Sequence, residues 1–246
     1  MKLLQISLLW LLSALAVANP LHVGYDSVFA PFTYQDEQGQ ARGLHVEIIE
    51  GMLQHAGVEY RFVGYPWKRL VAMSDHGAVD IALPFRHKEE RFERYNMIGP
   101  LTATGSRTFL YTAVGRNIQW ETLDDLAGRR VGMLEDFAYP DKLEKETQIE
   151  FVRFNTSTRN LARMMLAKRD DIELLVSDET VFWDAVSDLD LTDFVEAGNP
   201  LDSVYRYAVV PKEKKELAER VRAMLEAFKK TEAYNRILSK YNLIRQ

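Results

Sequence analysis

Strand-like and helix-like runs alternate along this chain from residue 21 onward, and that alternation restricts the possible folds more than any other property of the sequence. Val58, Tyr60 and Phe62 alternate with Glu59 and Arg61, the period of two that a half-buried strand requires. From Leu44, the apolar residues Val46, Ile49, Met52, Leu53 and Ala56 recur at helical spacing. Further strands are expected at 21–25, 79–83, 109–114, 130–134, 149–154, 172–176 and 205–210. Helices are expected at 67–74, 122–126 and 158–168, after Pro140 and from Asp178. A long terminal helix follows, with Leu217, Val221, Met224, Leu225 and Phe228 as its buried stripe. Residues 34–43 read as a tight turn bracketed by Asp36, Gly39 and Gly43. This pattern predicts an α/β fold with mostly parallel sheets covered by helices. It falls into two blocks, hence two lobes: residues 19–104 plus 206–246 in one, 105–205 in the other. Ligands of such sheets bind in the crevice beyond the strand ends.

The first 18 residues read as a targeting segment. Lys2 precedes a largely apolar run from Leu3 to Val17, and Ala16-Val17-Ala18 gives the small-x-small pattern that predicts cleavage before Asn19. The apolar run is short for a spanning helix, and no second one follows. There is no cysteine, hence no disulfide and no thiol for a lipid anchor. The expectation is an exported, soluble monomer. Once the leader is removed, the rest of the 246 residues suffices for two modest lobes. The net charge is −5 and no basic block occurs, which argues against nucleic acid as a partner.

Residues 77–101 carry the chemistry. The apolar run Val79, Ile81, Leu83 leads into a loop bearing Arg86 and Arg91. Guanidinium groups at the rim of a cleft grip carboxylates through paired hydrogen bonds. That favours capture of a small anionic or zwitterionic molecule over nucleophilic chemistry. The five histidines show no metal-ligand spacing, and no phosphate loop or nucleophile elbow is present, so neither cofactor nor metal is expected.

Four motifs in order carry a family resemblance over nearly all of the chain after the leader. They are Ala30-Pro31-Phe32-Thr33-Tyr34 with Gly39 and Gly43; Gly77-Ala78-Val79-Asp80 with Glu90-Arg91 and Pro100; Asp124-Asp125-Leu126-Ala127-Gly128 with Val131-Gly132; and Val176-Ser177-Asp178. The chain resembles the bacterial extracellular solute-binding proteins of the polar amino-acid type, with the type II periplasmic binding protein fold. The resemblance implies a ligand cleft between the lobes that closes on its solute, and delivery of that solute to an ABC importer. It implies that Arg91 grips the ligand carboxylate and that Asp178 receives the α-ammonium group. It places Phe29 and Trp67 as rings around the ligand and Asp26 near its side-chain end.

Departures from the family pattern surround the arginines. Pro84, Phe85 and Arg86 stand where the family has small and hydroxyl residues, and 135–139 replaces its Gly-Thr turn. Ile98 and Leu101 replace the usual Ser and Tyr around Pro100. Arg86 suits a second acid group, while Glu135 or Asp136 suits an amine, and Phe85 joins the candidate lining. Other roles fit the same residues: Asp178 as a helix N-cap, Glu135, Asp136 and Tyr139 at a helix start, Phe29 and Trp67 in a core. A dehydratase acting on a cyclic carboxylate through Glu135 or Asp136, and a sensory module for a membrane partner, are the rival functions.

Overall fold

The computed structural model describes residues 19–135, 137–187, 189–190 and 193–241. The leader and Asp136 therefore lie outside the described residues. The first lobe is built from β1 (Leu21–Asp26), β2 (Val28–Phe29), β3 (Thr33–Gln35), β4 (Ala41–Arg42), α1 (Leu44–His55), β5 (Tyr60–Tyr65), α2 (Trp67–Asp75), β6 (Ile81–Arg86), α3 (Glu89–Arg94) and β7 (Tyr95–Ile98). The second contains β8 (Ser106–Ala113), β9 (Arg130–Leu134), α4 (Asp141–Glu144), β10 (Glu150–Phe154), α5 (Thr158–Leu166), β11 (Leu174–Asp178), α6 (Glu179–Ala185), β12 (Phe194–Glu196) and β13 (Asp202–Val204). The chain then returns through β14 (Arg206–Pro211), α7 (Lys215–Phe228) and α8 (Glu232–Lys240).

Two sheets organise these elements, in the orders β5-β1-β6-β14-β7 and β10-β9-β11-β8-β12, with β13 also on β8. They are mixed rather than mostly parallel. The units β5-β1-β6 and β10-β9-β11 are parallel, as alternating strand and helix require. In contrast, β14 runs against both β6 and β7, and β8 runs against β11, β12 and β13. The physical reason is the crossing between lobes. The chain reaches β8 and β14 at the cleft, so these strands begin where β1, β6 and β11 end. Strand ends and strand beginnings thus meet at one place: Asp26, Arg86 and Asp178 at ends, Thr108 and Arg206 at beginnings.

The segment around 34–43 is a hairpin of β3 and β4 within a three-stranded sheet. Gly43 closes it at φ 111°, and a Cβ there would sit 2.5 Å from the Phe32 carbonyl oxygen, so glycine is required. The terminal helix is two helices. Thr231 divides them, donating to the Phe228 carbonyl at 2.7 Å while accepting from Tyr234 N–H at 3.2 Å as the N-cap of α8. One core joins β1, β6 and β14 to α1 and α7, and a second face of the same sheet packs Leu70, Phe85, Tyr95 and Val209. The second lobe has a core on each face of its own sheet.

Candidate functional site: a cleft of arginines and acids

Between the lobes lies a narrow cavity of about 70 Å³ whose lining includes Asp26, Phe29, Trp67, Arg86, Arg91 and Asp178. These six sequence candidates, scattered over 150 residues, are brought together because each ends or follows a strand that points at the cleft. Arg91 projects from α3. Its Nη1 donates to the Arg86 carbonyl at 3.0 Å, and its guanidinium lies 5.6 Å from the Trp67 ring centre and 5.3 Å from that of Phe85. Among the described residues no carboxylate pairs with it. Burial pulls its pKa below the ordinary arginine value, against the pull of Glu90. An arginine stays charged even so, and a half-buried cation without an anion is an incomplete pair.

The other charges in the lining are engaged. Arg86 is paired with Asp202 of β13. Asp178 caps α6: its Oδ1 accepts from Thr180 N–H at 3.0 Å and Val181 N–H at 3.3 Å, and from the Ser106 hydroxyl at 2.6 Å. Its Oδ2 accepts from Arg206 Nη2 at 2.6 Å. Arg206 is itself buried over aromatic rings, 4.9 Å from the centre of Phe29 and 5.0 Å from that of Phe32. Desolvation lowers its pKa while Asp178 raises it. Asp26 is the remaining acid. It is 2 % exposed, accepts among the described residues only from Val28 N–H at 3.2 Å, and has its pKa pushed up to about 6 by burial.

Phe85 requires a correction. It is 1 % exposed in the first lobe's core and does not line the cavity. The pairing of β6 with β14 slips between Ala82↔Val209 and Phe85↔Tyr207, so three steps on β6 match two on β14. That bulge puts Phe85 on the same face as Ala82 and leaves Pro84 and Arg86 at the cavity. Arg86 likewise ends the strand rather than sitting in the following loop. Glu135 is exposed and lies off the cavity lining. Tyr139 lines it, with its hydroxyl accepting from Leu134 N–H at 2.7 Å.

Lining residues that were not site candidates in the sequence include Arg206 and Thr108, and Phe137 was noted there only as part of the 135–139 stretch. Phe137 reaches from the second lobe to Phe29 of the first, 5.7 Å between ring centres. Among the described residues no group of His, Cys, Asp and Glu is arranged to hold a metal ion.

The family model for bacterial extracellular solute-binding proteins, family 3, matches residues 21–244. The chain belongs to that family. Among curated family relatives, the L-cystine-binding protein TcyJ of Escherichia coli (strain K12) is 27 % identical over 139 residues, covering 56 % of this chain and 52 % of that protein. The chain thus spans about half the length of the curated relatives it matches. Among solved structures, a histidine kinase sensor domain with similarity to periplasmic binding proteins superposes with a TM-score of 0.80 at 20 % identity, covering 91 % of this chain and 96 % of that one. The P235GK mutant of ArgBP from T. maritima superposes at 0.76 with 22 % identity, covering 90 % and 94 %. These superpositions establish the two-lobed fold of family 3. No helix among the described residues is long and apolar enough to cross a membrane.

Proposed function

We propose that this chain is an exported, periplasmic solute-binding protein that captures a small polar, carboxylate-bearing solute between its lobes and delivers it to an ABC importer. In this reading the leader is removed after Ala18, residues 19–104 with 206–246 form one lobe, and 105–205 form the other. The observation that carries it is Arg91: a cation in the cleft between the lobes, flanked by Trp67, with no acid paired to it among the described residues. Two charge-assisted hydrogen bonds from a guanidinium, each worth about 1.5–3 kcal/mol, supply a large part of the roughly 8 kcal/mol that micromolar binding needs.

Catalysis has less support. The dehydratase alternative depended on Glu135 or Asp136, and Glu135 stands exposed outside the cavity. The matched curated relatives are named as binding proteins.

Arg91→Ala tests the proposal. Titration calorimetry on a thermal-shift-selected carboxylate should show affinity falling by about 100-fold, with the circular dichroism spectrum and cooperative unfolding retained. Unchanged affinity in the folded variant would remove Arg91 from the site and the proposal with it.

A further inference from the structure

The resemblance to amino-acid-binding relatives leads one to look for an α-ammonium group held by Asp178. The side chain is not available for it. Three hydrogen bonds converge on Oδ1, and Arg206 is bonded to Oδ2. Arg206 cannot easily swing aside, since it is 8 % exposed and seated over Phe29 and Phe32. An ammonium group brought to this place would meet the guanidinium of Arg206 and a carboxylate already neutralised by it.

Among the described residues two groups beside this carboxylate are left without partners, and so is the acceptor Asp202 Oδ1 across the sheet from Thr108. Among the described residues Arg206 Nε is buried with no hydrogen-bond partner, and so is the hydroxyl of Thr108. Both residues line the cavity. Thr108 pairs across the sheet with Asp178, so the two unsatisfied groups flank the carboxylate that Arg206 has engaged. The Arg206 Nε–H can be satisfied by a ligand oxygen but not by a ligand N–H, and the Thr108 hydroxyl can donate to that same oxygen. Beside them stands Arg91, a further donor group without an anion. The place beside Asp178 that an α-ammonium group would take is thus met by donors for oxygen.

Resting on the solute-binding reading above, we infer that this cleft selects carboxylates bearing an oxygen in place of the α-ammonium group: 2-oxo acids and 2-hydroxy acids. Arg91 takes one carboxylate. Arg206 and Thr108 take the neighbouring oxygen, while Arg206 keeps its bond to Asp178.

Calorimetry on the full exported protein with matched pairs tests this: 2-oxoglutarate against glutamate, malate against aspartate, pyruvate against alanine. The expected result is that at least one oxygen-bearing member binds ten-fold or more tightly than its amino partner, and that no amino partner wins. Arg206→Thr, which frees Asp178, should narrow or invert that preference. Amino acids binding as well as or better than their oxygen partners would overturn this inference and leave the solute-binding reading standing. If neither class binds, while the protein unfolds cooperatively, both fall together. Because the wild-type panel decides the question, a poorly folded Arg206→Thr does not shield the inference.

Discussion

Asp26 is the residue whose chemistry is most out of balance with its surroundings. It is buried at the end of β1 with, among the described residues, one backbone donor and no cation. The folded protein holds its proton up to about pH 6, whereas an ordinary aspartate releases it near 3.8. Between those values the folded state binds more protons than the unfolded one, so Asp26 makes stability fall as pH rises. The contribution is complete below the lower value and lost once pH passes the upper, an effect of about 3 kcal/mol. Asp26→Asn should therefore melt higher than wild type at pH 8 and gain little or nothing at pH 4, with the gap opening through pH 4–6. Melting curves across that range check it, and a gap that does not change with pH would show Asp26 to be ionised and well solvated. Asp26 was reached from the sequence through the family resemblance, which places it near the side-chain end of the ligand. Arg206 was not, although a signal existed. It stands in register with Ala208 and Val210 on one face of β14, so an arginine shares an otherwise apolar, core-facing stripe. Phe85 failed for the opposite reason. Its position depends on a bulge in β6 that single-sequence periodicity does not reveal.

At the scale of elements, Asp178 links a cap to a charge pair. It closes the N-terminus of α6 and holds Arg206 at the first residue of β14, so one side chain ties helix and returning strand together. Asp178→Ala removes a cap worth about 1 kcal/mol and strands a buried guanidinium at a cost of about 3–5 kcal/mol. Asp178→Asn keeps an acceptor for the cap and loses only the charge, so it should be the milder variant by roughly the value of the cap. Asp178→Ala with Arg206→Met removes both charges of this buried pair and should recover most of the stability. Urea denaturation of the three variants separates these contributions, and a double variant no more stable than Asp178→Ala would deny the pairing. Helices and parallel units were readable because hydrophobic period and length are local. The antiparallel course of β8 and β14 was not, because strand direction depends on where the chain re-enters a sheet after crossing between lobes.

For the molecule as a whole, closure must be held by contacts that exist only when the lobes meet. Lys88, between β6 and α3 of the first lobe, donates to Glu144 Oε2 at 2.7 Å and lies 3.3 Å from Asp141, both on α4 of the second. Glu144 also accepts from Tyr139 N–H at 3.0 Å, so the same carboxylate steadies a cavity wall. The Lys88 side chain is 14 % exposed, against 29 % for Glu144 and 66 % for Asp141, so the contact is partly solvated and worth about 1 kcal/mol or less. A contact made in one of two states shifts their populations by its own free energy, and about 1 kcal/mol changes a ratio some five-fold. Lys88→Ala should therefore weaken solute affinity by up to about five-fold without touching a cavity residue, and raise the radius of gyration of the ligand-free protein in small-angle scattering. Exchanging the charges in a Lys88→Glu, Glu144→Lys double variant should restore part of both. If affinity drops while the scattering profile is unchanged, Lys88 acts on the cavity wall through Glu144 rather than on the angle between the lobes.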